Sequence, residues 1–278
     1  YRIERGLLRM PFLTLNGSRF HYHWDDYTEP WRSRSVVLLH HAAGGNLHRW
    51  RAWVPTLAPH HKVLRFDMRG HAGTDGPSDG NFTLPGLAAD ITAVLDSLEI
   101  DKVHVVGASA GGIVSLQFAH DFPDRTHSLS LVASTPKLAQ MGAAIDASVW
   151  RRTLEEQGTK AWLASNSKER FGPNFEPELV EWYASSGEKT AAEMVLGLQG
   201  CLLAQDLTSL LPQIYAPTLI MASNQDEITP LDAQHLMAEN IPNACLKTFD
   251  GVGHNMKVEI PDILARTVMD FIRKVETD

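Results

Sequence analysis

The 278-residue sequence predicts an α/β fold, a mostly parallel sheet with helices on both faces. Three observations carry this. Strand-like apolar runs alternate with amphipathic helical patterns through most of the chain, the order that builds a parallel sheet with crossover helices. Some runs, such as Val36-Val37-Leu38-Leu39, are continuously apolar, as expected of strands buried on both faces. One strand, Val103 to Val106, runs into Gly107-Ala108-Ser109-Ala110-Gly111, a G-x-S-x-G turn that opens a helix.

The elements follow in order. Met10 reads as a natural start, with residues 1–9 as an extension that lacks the apolar stretch of a secretory signal. Phe12 to Leu15 and Arg19 to Trp24 form a hairpin around Asn16-Gly17. Phe20, Tyr22 and Trp24 alternate onto one face. His21 and His23 share the other, and solvent-facing histidines are favoured over a metal pair because no third ligand is evident. After the Val36 strand comes His40-His41-Ala42-Ala43-Gly44-Gly45, small residues whose backbone N–H groups can approach a ligand. Asn46 caps a helix with Leu47, Trp50, Val54 and Leu57 on one face. Lys62 to Asp67 is a strand, and Asp67 is expected to tie down the turn-rich loop that follows. Thr83 caps a helix whose apolar stripe includes Leu84, Leu87, Ile91, Val94 and Leu98. The helix after Ser109 stops at Pro123, and Ser128 to Ala133 is the next strand.

The alternation then lapses. Residues 136–215 read as helical or irregular, with many large apolar side chains. Some of these form a local core, and others roof an apolar pocket. Regular order resumes with a strand at Thr218 to Met221, a helix at Leu231 to Ala238, a strand at Ala244 to Phe249 and a final amphipathic helix.

Composition narrows the function. A net charge of −8 without basic runs argues against nucleic acid or an anionic membrane surface as partner. No apolar run approaches the ~20 residues of a membrane span. Cys201 and Cys245 have no metal-ligand spacing and read as free buried thiols of a cytoplasmic protein. No metal site is expected.

A serine hydroxyl needs a base, and the base needs an orienting group. In a parallel sheet both should lie at strand C-terminal ends. Asp226 follows the Thr218 strand, with Glu227 as its competitor, and His254 sits in the Gly-containing loop after the Ala244 strand. The order Ser109, Asp226, His254 is that of the α/β-hydrolases.

The chain resembles the α/β-hydrolase fold superfamily over nearly its whole length. Besides those three residues, Asp67 to Asp75 is similar to the family's D-x-R-G-x-G-x-S-D loop, with Ala72 and Thr74 as departures. Gly253-His254 followed by Glu259 and Pro261 resembles its C-terminal signature. Asp206-Leu207, Leu210 to Ile214 and Ala216 to Ile220 look like the cap-to-core return of the 3-oxoadipate enol-lactonase-like branch. The resemblance implies a core of residues 1–135 and 216–278, with a helical cap, 136–215, inserted between core strands. It also implies a Ser109–His254–Asp226 triad that uses no metal or organic cofactor. The oxyanion hole would be the N–H groups of Ala110 and Ala42, with Ala43 next in line. His41 stands where the family usually has glycine. His41, Ala43, Met141, Trp150, Trp182 and Tyr183 are the candidates for the pocket lining. Arg49, Arg51 and Lys137 could meet a substrate carboxylate, but solvated surface charge is the favoured reading for them.

The expected activity is hydrolysis of a carboxylic ester or lactone of a hydrophobic small molecule through an acyl-enzyme. The alternatives on this scaffold are C–C bond hydrolysis of a ring-cleavage product and cofactor-free oxygenase or perhydrolase chemistry. A small-molecule receptor is the reading from another class. A homo-oligomer is left open.

Overall fold

Alternation along the central strands puts a separate apolar core on each face of the sheet. The computed structural model describes residues 12–77, 79–140, 146–165 and 167–277, so Met10 and the segment before it lie outside the described residues. Strands β1 (Phe12–Leu15), β2 (Ser18–Asp25), β3 (Val36–His40), β4 (Lys62–Phe66), β5 (Val103–Ala108), β6 (Thr126–Val132), β7 (Thr218–Ser223) and β8 (Ala244–Phe249) make one sheet. Its order is β1-β2-β4-β3-β5-β6-β7-β8. The pairings from β4 through β8 are parallel, and only the β1–β2 hairpin and its junction with β4 are antiparallel. Asn16 and Gly17 turn the hairpin at φ 51° and 81°, the left-handed pair that a two-residue turn needs.

The helices are α1 (Val54–Leu57), α2 (Leu84–Ser97), α3 (Ala110–Asp121), α4 (Ala147–Ser165), α5 (Ser167–Arg170), α6 (Pro177–Ser186), α7 (Ala192–Leu203), α8 (Leu231–Asn240), α9 (Met256–Glu259) and α10 (Pro261–Thr277). The expected caps are present. Asn46 Oδ1 accepts from the His48 N–H at 2.9 Å, opening a 3₁₀ turn that runs into α1. Thr83 Oγ1 accepts from the Gly86 N–H at 3.2 Å. Val36 and Leu38 pack with Leu87, Ile91 and Val114 of α2 and α3 on one face. Val37 and Leu39 pack with Trp50, Trp53, Leu264 and Val268 on the other. The period of two along β3 therefore divides its side chains between the two cores.

Helices α4 to α7 lie between β6 and β7, and α4 is broken at Gly158, whose φ is 81°. Trp150, Leu154, Trp162, Phe171, Tyr183 and Val195 form a third core here, joined by Ile228 from the loop after β7. The thiols differ from expectation: both are free, but Cys201 is half-buried and Cys245 is exposed. Cys245 lies on β8, the edge strand of the sheet, none of whose side chains is fully buried. No described helix is long and apolar enough to cross a membrane.

Candidate active site

Parallel strands end on one edge of a sheet, so the loops after β5, β7 and β8 share a neighbourhood. Ser109 follows β5 directly and takes φ 52° and ψ −120°. A residue with a Cβ enters such a region at a cost of roughly 1–3 kcal/mol, which the surroundings must hold in place. Two bonds do this. The Ser109 N–H donates to Val132 O at 3.0 Å, and Ser134 Oγ donates to Ser109 O at 2.9 Å. The flanking glycines are needed because backbone closes in on them. A Cβ on Gly107 would stand 2.6 Å from Gly111 O, and one on Gly111 would stand 2.5 Å from His40 O.

The structure brings Ser109, His254 and Asp226 together. His254 Nε2 is 2.9 Å from Ser109 Oγ. His254 Nδ1 is 2.9 and 3.1 Å from the two carboxylate oxygens of Asp226. An ionised carboxylate only accepts, so Nδ1 carries the proton and the Nε2 lone pair faces the serine hydroxyl. Asp226 is buried and also accepts from the Ile228 N–H at 2.9 Å, the Thr229 N–H at 2.8 Å and Thr229 Oγ1 at 2.6 Å. Burial pushes its carboxyl up, but the electrostatic interaction with His254 and the donors from His254 and Thr229 outweigh that and hold it below the usual carboxylate range. Glu227, the competitor, is exposed.

The His254 loop is clamped from both sides. Glu259 accepts from the Gly253 N–H at 3.0 Å and from the Gly172 N–H at 2.8 Å. The Asn255 N–H donates to Arg170 O at 2.8 Å. The two backbones touch: a Cβ on Gly253 would come within 2.7 Å of Phe171 Cα, and one on Gly172 within 2.6 Å of Val252 Cα.

Ser109 and His254 open into a cleft of about 450 Å³ of empty space, walled by Ala42, Ala43 and Ala110 below and by Trp150, Trp162, Arg170 and Tyr183 above. A larger, mostly apolar cleft adjoins it, and Leu138, Trp150 and Gln199 line both. Of the residues expected in the pocket, Ala43, Trp150 and Tyr183 line the first cleft. His41 does not. It is fully buried, with Nδ1 on Ala42 O at 2.9 Å and Nε2 accepting from the Met68 N–H at 2.8 Å. Its ring therefore braces the Ala42 loop from behind rather than crowding the cleft, and burial holds it well below the usual histidine range. Trp182 faces a separate groove, under the guanidinium of Arg51 at 4.5 Å. Met141 lies outside the described residues.

The cations also need correction. Arg49 is not a surface charge: it is 1% exposed, stacked 3.7 Å over Tyr183, with Nη2 donating to Tyr183 O and Nε to Ser186 Oγ, each at 2.8 Å. Lys137 is paired with Asp206 at 2.8 Å. Asp67 accepts from the Leu47 N–H at 2.7 Å, the Gly73 N–H at 3.1 Å and His21 Nδ1 at 2.7 Å, so it ties three segments together away from Ser109. His21 is consequently held by that carboxylate rather than free in solvent. Among the described residues no group of three or more His, Cys, Asp or Glu side chains is arranged to hold a metal ion.

Sequence reasoning missed Thr229 and Arg170. Thr229 had a signal: an Asp followed by a loop accepts from the N–H groups two and three residues on, which puts residue 229 beside the carboxylate. Arg170 had none, because no local pattern shows that the helices fold Trp150 and Trp162 against it.

Three comparisons relate the whole chain to known proteins. The alpha/beta hydrolase fold family model matches residues 35–260. A protein of Azorhizobium caulinodans provisionally named a carbamate hydrolase is 27% identical over 91% of this chain and 96% of its own. The poly(3-hydroxyalkanoate) depolymerase of Ectopseudomonas oleovorans is 30% identical over 86% of this chain and 84% of its own. The crystal structure of the enol-lactonase from Burkholderia xenovorans LB400 superposes with a TM-score of 0.86 at 24% identity, covering 95% of this chain and all of that one.

Proposed function

The chain belongs to the alpha/beta hydrolase fold family, and on that premise we propose that it is a serine hydrolase of carboxylic esters or lactones. The observation that carries this reading is the 2.9 Å approach of His254 Nε2 to Ser109 Oγ, with Asp226 on the far side of the ring. In the reaction, Ser109 Oγ attacks the substrate carbonyl carbon while His254 Nε2 takes its proton. Asp226 holds the ring and faces the imidazolium charge. The tetrahedral oxyanion lies against the N–H groups of Ala110, at the start of α3, and of Ala42; one such donor is typically worth ~10²–10³ in turnover. His254 returns its proton to the departing alkoxide, leaving an acyl-Ser109. Water then attacks, with His254 again as base, and the acid is released. The three side chains, the two backbone N–H groups and water supply every step of this reading.

We assign residues 136–215 the role of a cap over a core made of 1–135 and 216–278. Trp150, Trp162 and Tyr183 supply the apolar side of the cleft and keep bulk water from the acyl-enzyme. The two unpaired thiols suit a cytoplasmic setting.

The test is a fluorophosphonate label followed by peptide mapping, together with kinetics of Ser109→Ala on ester and lactone panels. A label on Ser109 and a loss of at least ~10³-fold in turnover are expected. Unchanged hydrolysis in Ser109→Ala would sink the proposal. Faster turnover of a dienoate diketone than of any ester would move the assignment to C–C bond hydrolysis on the same residues.

A further inference from the structure

The protein carries a net charge of −8, yet three cations are buried at or behind the wall of its cleft, of which Arg170 lines it. Arg49, Arg170 and Lys257 are 1%, 3% and 1% exposed. All three surround Tyr183: the Arg49 guanidinium is 3.7 Å and the Lys257 ammonium 5.6 Å from its ring centre, and Phe171, next to Arg170, packs edge-on against it at 5.4 Å. Among the described residues none of the three forms an ion pair with a carboxylate. Their positive charge registers on the phenol. Burial pushes the Tyr183 hydroxyl up, but Arg49, Lys257 and Arg170 outweigh it and bring it down to about 8. Buried cations without a counter-charge are rare, because an unpaired charge away from water is strongly disfavoured.

Arg49 spends Nη2 and Nε on Tyr183 O and Ser186 Oγ, which leaves only its Nη1 without a partner among the described residues. Arg170 is different. The rings of Trp150 and Trp162, set edge to face at 82° to each other, pack against it at 4.9 and 4.5 Å, while Nε and Nη2 donate to nothing among the described residues. Burial lowers this guanidinium to about 10, which leaves it a cation at neutral pH. The two indoles hold the guanidinium in the corner between them and leave Nε and Nη2 unspent. It lines the same cleft as Ser109 and His254.

We propose that Arg170 is an anion subsite of the active-site cleft, and that the substrate is an ester or lactone bearing a carboxylate that this guanidinium receives. The inference rests on the ester or lactone hydrolase reading and adds the charge of the substrate to it. A planar fork with spare N–H groups matches a carboxylate in geometry as well as charge. The apolar wall then packs the carbon chain between the carboxylate and the scissile carbonyl. Arg170 binds and orients; it takes no part in proton transfer.

The experiment has two arms. In the first, kcat/KM is measured for monoanionic esters and their neutral counterparts of similar size. One pair carries the carboxylate on the acyl side (p-nitrophenyl hemiglutarate against p-nitrophenyl pentanoate), the other on the alcohol side (3-carboxyphenyl butyrate against phenyl butyrate). At least one anionic ester is expected to be preferred, and the ratio of anionic to neutral kcat/KM to fall at least tenfold in Arg170→Gln and to recover in part in Arg170→Lys. An equal loss on both members of each pair would mean that Arg170 only braces Trp150 and Trp162, and would overturn the inference. In the second arm, calorimetry compares glutarate with its dimethyl ester on Ser109→Ala, where no turnover is needed. Tighter binding of glutarate, lost on adding Arg170→Gln, is expected; equal binding of the two overturns the anion subsite. Failure of the hydrolase reading shows separately, as turnover surviving in Ser109→Ala.

Discussion

Thr229 shows how much of the site depends on a residue that touches no substrate. Its hydroxyl donates to Asp226 Oδ2 at 2.6 Å and its N–H to Oδ1 at 2.8 Å. A hydrogen bond to a charged acceptor is worth about 1.5–3 kcal/mol. Thr229→Val keeps the shape and removes one donor. The Asp226 carboxyl then moves back up, because one of the groups that lowers it is gone. The expected outcome is a kcat lower by about tenfold with KM little changed, and an acid limb of the kcat profile displaced to higher pH. An unchanged profile would show that the bond does not act on the carboxylate. Arg49 and Arg170 were hidden from the sequence for one reason: the partners that define them are brought to them by the fold, whereas Thr229 stands three positions from its partner Asp226. Arg49 meets Tyr183 and Ser186, more than 130 positions away. No local pattern distinguishes it from Arg51, which is exposed.

The elements were more legible than such side chains, because strand and helix periods are local. The central strands, the caps at Asn46 and Thr83 and the turn at Ser109 are stated by residue type within a few positions. Asp226 and His254 were legible because both follow strands, and parallel strands bring their ends together whatever the intervening length. His41 was not. Its residue type suggested an intrusion into the cleft, whereas its ring turns back to the Met68 N–H. The packing of α3 against the loop after β3 gives a test at this scale. In Gly111→Ala the new Cβ meets backbone, His40 O at 2.5 Å, which no rotamer change relieves. Overpacking of this kind costs about 1–3 kcal/mol, so the unfolding free energy from urea titration is expected to fall by that amount. Turnover should drop further than stability alone explains, since the displaced loop holds Ala42. Wild-type stability with wild-type turnover would contradict the close packing.

At the scale of the molecule, buried histidines set the acid limit. Burial lowers both His40 and His71 to about 4. Unfolded, each titrates near 6.5. Between those values the unfolded chain binds protons that the folded one refuses, so stability falls as the pH drops from about 6.5 to about 4. Each group contributes up to about 3 kcal/mol across that window. Urea unfolding at pH 7, 5.5 and 4.5 is expected to show the decline, and His71→Gln to flatten it; equal slopes for both proteins would remove His71 from the account.

The meeting of residues 170–172 with 251–255 also has a consequence for how the protein opens. Two backbone stretches lie there with no room for a side chain between them, joined by Asn255 N–H to Arg170 O and bridged by Glu259. The helical segment cannot lift away from the sheet without releasing the loop that carries His254. The smallest cooperative opening of the molecule therefore includes both, and their slowly exchanging amides should share one opening free energy. Native-state hydrogen exchange is expected to report a common value for Asn255 and Gly172, and Glu259→Gln to lower the two together. Separate values would mean that the helices over the cleft breathe on their own.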